Sequence, residues 1–391
     1  MPSFDNIKKY YFLKIFGGLA FADAIFFLFL LENNLNFFQI MLTQSFYTLI
    51  LVILQIPAGI ISDLWSRKYT LAIGAVLGIL GAITYSLSTD FVGFLIAEGL
   101  WGGYSAMIFG TNTAFIYDSL KEIKKQKLAK KVFSESSFYF LLARTIALPI
   151  GSFIGSLYGL RSAIYLSVIM PSISLLTILT FKEPHRVQKI SKKYMKQIKN
   201  GISIIRRNEL LLLLIFNFAL ISSFVWLGGV YFHPYIQKAG IDVMWFGFIF
   251  AGINLTSALV CKFSYRIEKR LGMIKTIIIS GLIPAVGFLV MGILFNPFMA
   301  ILSTGIVIMS MEFRVPVFSD YLNRIIGSKE RATIGSFVVL ISHLIYTISG
   351  TLMRYFSDLV GLSLVFITFS VIIFVTNFIF RVKPAHLKKN Q

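Results

Sequence analysis

Asp23, Glu98, Arg144, Glu312, Arg314 and His343 stand well inside long apolar stretches of this sequence. An ionised group in hydrocarbon is costly, so each must be paired, line a polar path, or exchange protons. At about 1.5 Å of helical rise per residue, Asp23 lies about 20 Å along its stretch and Arg144 about 18 Å along its own, counted from the same side. Both depths fall in the middle third of a roughly 30 Å hydrocarbon core, in the same half of the chain, so the two can meet. A carboxylate there that exchanges a partner for a proton can couple proton flow to another event. The same carboxylate held permanently by Arg144 only ties two helices together, and both readings stand open. Glu98 lies about 9 Å from the opposite side of its stretch. Glu312 and Arg314 are two residues apart, which places them on different helix faces and not in a direct pair. His343 is a proton carrier or an interhelical donor. Trp101, Trp226, Asn217 and Asn254 are candidates to line a solute cavity.

The elements that carry these residues follow from composition. Hydrophobic types make up 57% of the 391 residues and charged types 14%, against roughly a quarter charged in soluble domains. Mean hydropathy is +0.79. An ordinary soluble enzyme, a disordered chain and a disulfide scaffold are excluded, the last because Cys261 is the single cysteine. A spanning helix needs about 20 apolar residues. Twelve stretches qualify: 10–31, 37–61, 69–88, 92–117, 133–156, 162–181, 210–232, 242–264, 273–295, 298–319, 333–353 and 360–380. Only Asn296-Pro297 separates the ninth from the tenth.

The net charge of +20 is distributed unevenly. Of 37 Lys and Arg, 32 lie at the termini, in the even-to-odd connections or in the span ends beside them, three in the alternate connections, and two, Arg144 and Arg314, deep inside spans. Basic residues stay cytoplasmic, so both termini are expected inside, in the plasma membrane. The basic connection 182–209 divides the chain into residues 1–181 and 210–391, two six-span halves, with a basic tail on the second. Paired halves of this kind suggest the parallel repeats of secondary transporters. Residues 191–207 are either a helix on the anionic inner leaflet or a solvated linker.

At the end of the second stretch stands Gly59-Ile60-Ile61-Ser62-Asp63-Leu64-Trp65-Ser66-Arg67-Lys68. It resembles motif A of the major facilitator superfamily: a glycine, an aspartate four residues on, and a basic pair after a turn. Gly59, Asp63, Arg67 and Lys68 match, whereas Leu64 and Ser66 stand where arginine and glycine are usual. Physically, Gly59 permits close helix approach, and Asp63 can face the positive N-terminus of a neighbouring helix. The run from Glu98 through Trp101 and Gly103 to Tyr117-Asp118 is similar to that of bacterial, drug-efflux-like members. The resemblance implies an all-α fold of twelve transmembrane helices in two six-helix halves, and an Arg67–Asp118 pair at a cytoplasmic gate. Pro149, Gly151 and Gly155 loosely resemble an antiporter motif, and Gly151 with Gly155 suits close packing.

No Walker A sequence and no dinucleotide glycine loop occurs, and four scattered His with one Cys form no metal-ligand pattern. Neither an enzyme, a cofactor nor a metal is therefore expected, and a channel would lack a recognisable filter. The expected function is secondary transport by alternating access, as proton-coupled efflux of a small, partly apolar compound. Its partners would be that solute, protons and the bilayer, without nucleic acid, and the protein would be a monomer. The alternatives are a solute importer, or a membrane sensor or scaffold that does not transport.

Overall fold

The computed structural model describes residues 2–108, 111–184, 203–205, 208–326 and 331–382. Most of the 182–209 connection, including the basic run 191–200, and the tail after residue 382 lie outside the described residues. The described elements are helices α1 (Pro2–Gly18), α2 (Phe26–Glu32), α3 (Phe37–Leu64), α4 (Arg67–Leu87), α5 (Phe91–Ile108), α6 (Thr111–Glu122), α7 (Ala129–Tyr158), α8 (Leu160–Leu166) and α9 (Ile169–Leu179). They continue with α10 (Glu209–Lys238), α11 (Phe246–Leu271), α12 (Met273–Ile293), α13 (Pro297–Ile325) and α14 (Arg331–Ile379), plus two short 3-10 turns.

Among the described residues, ten helices are long and apolar enough to cross a membrane. The two expected stretches missing from the ten have local reasons. The first, 10–31, is broken between α1 and α2. The eleventh retains a shorter apolar run, Phe337–Gly350, inside α14, which kinks at Gly361 with φ of 73°. Side-chain caps mark several starts. Asn36 accepts from the Gln39 N–H of α3, Ser66 from Tyr69 of α4, and Asn296 from Met299 of α13. The last resolves the weakest boundary in the sequence: Asn296 caps and Pro297 fills a first-turn position that needs no N–H.

On α4 the buried face is small and polar and the outer face apolar: Thr70, Gly74, Gly78 and Gly81 are buried, while Ile73, Val76, Leu80 and Ile83 face outward. Lipid offers no hydrophobic penalty to the outer face, so association rests on close packing of small residues and on buried polar contacts.

The chain divides into two compact units. One is Met1–Ile190 with Asp242–Ala251; the other is Ser191–Ile241 with Gly252–Gln391. Residues 242–251 join the first unit at Ser152, whose hydroxyl donates to the Met244 carbonyl (3.2 Å) and accepts from the Gly247 N–H (3.0 Å). In the first unit α5 packs on both α3 and α4, and α1 on α7 and α9; in the second, α14 packs on α10 and α12.

Candidate functional site

The break in the first span is the feature from which the site is built. After Gly17-Gly18 the helical ladder fails, and N–H groups reach two or three residues back. Ala20 donates to the Gly18 carbonyl (2.8 Å), Asp23 to Ala20 (3.3 Å) and Ile25 to Ala22 (3.0 Å). Two glycines let this irregular backbone lie directly on α7. A Cβ on Gly151 would come within 2.5 Å of the Phe21 carbonyl carbon, and one on Gly18 within 3.0 Å of the Phe140 carbonyl carbon. Gly155 meets the Ile25 side chain, with Cδ1 2.7 Å from where a Cβ would stand. Irregular backbone at membrane depth is tolerated where protein covers it or a cavity borders it, and both hold here.

Asp23 stands in the break. Its Oδ2 accepts from Nη2 of Arg144 on α7 at 2.9 Å, and the two side chains remain 45% and 38% exposed. That exposure decides their character: the pair borders a cavity and is not sealed in packing. The cavity measures about 610 Å³ and lies wholly within the first unit. Its walls include Lys14 and Asp23 of the first span, Gln44 and Tyr47 of α3, Glu98 and Trp101 of α5, and Arg144. Glu98 is 5% exposed and accepts a short hydrogen bond from the Gln44 amide. The Tyr47 hydroxyl donates to Ser105 Oγ (2.9 Å), and Trp101 meets Tyr104 edge-on at 5.0 Å. Pockets of several hundred cubic ångströms with few polar groups are the size and kind that take small ligands.

At the basic end of the same unit, Arg67 Nη1 lies 2.7 Å from Asp118 Oδ2, joining the start of α4 to α6. A second carboxylate holds the same helix start. Glu183 accepts from the backbone N–H groups of Arg67 (3.0 Å) and Lys68 (2.8 Å) and from the Ser66 hydroxyl (2.8 Å). An anion here satisfies orphan donors and complements the helix dipole. The side chain of Asp63 lies outside the described residues. The close approach expected at Gly59 is not seen, because a Cβ there would meet nothing within 4 Å.

In the second unit, Arg314 is fully buried. It donates to Ser280 Oγ and Asn217 Oδ1, each at 2.8 Å, and lies 4.6 Å from the Phe318 ring centroid. Asn217 thus serves a buried cation on α13. Glu312, two residues earlier, points to an exposed face, as the helical spacing requires. His343 stacks on Trp226 at 5.4 Å. Asn254 is half-buried on α11. The structure therefore brings Asp23, Glu98, Trp101 and Arg144 to one cavity. It groups Arg314 with Asn217, and Trp226 with His343.

Sequence reasoning missed four participants: Lys14, Gln44, Tyr47 and Glu183. Lys14 was counted as an orientation charge, although it lines the cavity. Gly17-Gly18 inside the first apolar run was the available signal for the break, and Glu183-Pro184 after the sixth run the signal for the cap.

The family described as Major Facilitator Superfamily matches residues 12–349. The uncharacterized MFS-type transporter YxaM of Bacillus subtilis (strain 168) is 20% identical, covering 96% of this chain and 95% of its own. Among solved structures, the nucleoside transporter NupG superposes with a TM-score of 0.80 at 14% identity, covering 98% of this chain and 99% of its own. A variant of the peptide transporter POT gives 0.79 at 13% identity, covering 99% and 96%. At such identities the structural likenesses establish the fold.

Proposed function

The chain belongs to the major facilitator superfamily, a family of multi-pass membrane transporters of small solutes and not of enzymes, and from that premise we propose that its transport is coupled to protons at the Asp23–Arg144 pair. The observation that carries the reading is a carboxylate in unwound backbone, held by one arginine contact and open to a cavity. Discontinuous helices near mid-membrane are where substrate and coupling-ion sites lie in such folds. A proton on Asp23 would displace the arginine contact, and both side chains border the cavity where that exchange would occur. One proton crossing a potential of about 100 mV releases about 2.3 kcal/mol, enough for a roughly fiftyfold solute ratio.

Both termini and the basic connections are cytoplasmic in this reading, residues 182–209 link the two halves in sequence, and the protein acts as a monomer. The aromatic walls at Trp101 and Tyr104 suit a partly apolar solute. Export by exchange is the direction suggested by the resemblance to efflux-like members. It requires proton and solute to exclude one another at one group. Uptake by cotransport requires them to bind together.

The test is transport in proteoliposomes with an imposed pH gradient and a pH dye inside, screening solutes of each charge class. The native protein should drive uphill solute movement with proton flux, and Asp23→Asn should abolish it while leaving solute exchange measurable. Unchanged uphill transport by the variant would make Asp23 structural. Cysteines placed at 121–131 and 189–200 should react with impermeant reagents only from the cytoplasmic side; reaction from outside would reverse the topology.

A further inference from the structure

Glu98 is the acid of the cavity that coupling at Asp23 leaves unused. It is 5% exposed on α5, and its carboxylate accepts from the Gln44 amide. The buried Tyr85 hydroxyl lies near that carboxylate without completing a hydrogen bond, and Tyr47 stands close enough to feel its charge. All three neighbours are neutral. Among the described residues, no Lys, Arg or His nitrogen lies within 4 Å of the Glu98 carboxylate. The cavity as a whole balances two acids against two cations, but the four are not paired off. Arg144 holds Asp23. Lys14 belongs to the opposite membrane face, since three spans separate the start of α1 from the start of α5. At about 1.5 Å per residue, Lys14 lies about 6 Å inside one edge of the hydrocarbon core and Glu98 about 9 Å inside the other, which leaves roughly 15 Å of depth between them. A desolvated carboxylate with only neutral partners is costly to ionise unless a cation reaches it, and the cavity gives one access.

Aromatic rings complete these surroundings. Trp101 stands three residues beyond Glu98, next to it on one face of α5, and both line the cavity. Two glycines of α4 seat the rings. A Cβ on Gly81 would stand 3.0 Å from Trp101 Cδ1, and one on Gly78 would stand 2.9 Å from Tyr104 Cδ2. The bare backbone of α4 thus keeps the indole beside the acid. A carboxylate next to aromatic rings suits an ammonium, which gives the acid a charged hydrogen bond and meets the ring through its quadrupole. The geometry points to a protonated amine as the recognised group of the solute, bound by the Glu98 carboxylate beside Trp101. An ammonium has three N–H donors, so one remains for the unfilled Tyr85 oxygen. A carboxylate or phosphate would be repelled by Glu98, and an alcohol would leave its charge uncompensated. The amine site is separate from Asp23–Arg144, so solute and proton use different groups. The inference names the solute class of the proposed transport and rests on that reading for transport, not for binding.

The experiment is thermal unfolding of the purified full chain in neutral detergent, at neutral pH and constant ionic strength. The probes are benzylamine, which is protonated under these conditions, and its neutral and anionic counterparts benzyl alcohol and benzoate. A concentration-dependent rise in melting temperature with benzylamine, absent with the other two, is expected. Glu98→Gln keeps the side-chain shape and an acceptor for Gln44, and should weaken the benzylamine response about tenfold or more, the equivalent of one charge-assisted hydrogen bond. Trp101→Leu should weaken it about threefold or more through loss of the ring. The second variant decides the matter if the first does not fold. No response to benzylamine, an equal response to benzyl alcohol or benzoate, or native benzylamine affinity in either variant overturns the proposal. So does loss of the response in Asp23→Asn with retention in Glu98→Gln, which would put the amine at Asp23. Benzylamine binding at Glu98 without any pH-driven transport supports this site and refutes the coupling reading instead; pH-driven transport of other solutes without amine binding does the reverse.

Discussion

Gly151→Ala tests whether the broken first span is held in place by α7. The added methyl carbon would stand 2.5 Å from the Phe21 carbonyl carbon and 2.9 Å from its Cα, and closer still to its oxygen. Carbon atoms in contact rest at about 3.5–4.0 Å, so the break must withdraw from α7 by about 1 Å or more. Backbone and not a flexible side chain blocks the site, so little of this can be absorbed locally. Asp23 lies two residues beyond Phe21, and a displacement of that size stretches its 2.9 Å contact with Arg144 toward or past 4 Å. Overpacking of this kind costs about 1–3 kcal/mol. The measurements are thermal unfolding in detergent and pH-driven transport in vesicles. The variant should melt earlier and lose coupling out of proportion to its loss of folded protein. Native melting together with native coupling would refute the reasoning, since the break would then not depend on the glycine. Gly59→Ala, where a Cβ meets nothing within 4 Å, is the matched control and should leave melting unchanged.

Other expectations follow from particular contacts. Glu183→Ala removes the acceptor of two backbone N–H groups at the start of α4 and should destabilise by about 1–2 kcal/mol, read by unfolding, with Glu183→Gln recovering part. Arg161→Ala releases the Ser86 and Ser88 carbonyls and Asn33, bonded at 2.8, 2.7 and 2.5 Å; a loss of roughly 2–4 kcal/mol is expected, since charged hydrogen bonds contribute about 1.5–3 kcal/mol each and water replaces some. Asn217→Leu leaves the buried Arg314 charge without its amide partner and should cost about 1.5–3 kcal/mol, whereas Arg314→Met removes the charge, leaves only the neutral Asn217 carbonyl oxygen without its donor, and should cost less. Equal losses for the two would show that Arg314 contributes through its ion-dipole contacts and not despite its burial.

The sequence by itself determined whatever depends on averages over many residues. The solvent is lipid because 57% of the chain is hydrophobic, and the positions of most spans follow from runs long enough to cross a bilayer. Short-range signals also read directly: Asn296-Pro297 ends one span and caps the next, and the Gly59–Lys68 stretch carries the family resemblance. Only the tertiary structure decided what depends on contacts between distant residues. Hydropathy passes straight through residues 19–25, because the carbonyls freed by the break are accommodated by Gly151, some 130 positions away. Glu183, from beyond α9, accepts from the backbone at the start of α4, since packing can deliver an acceptor to a helix end from far along the chain. Lys14 reads in sequence as one of many basic residues that orient the chain. Its place on the cavity that Asp23, Glu98 and Arg144 also line is set by the packing of α1 on α7, because only folding brings charges from distant spans to one space.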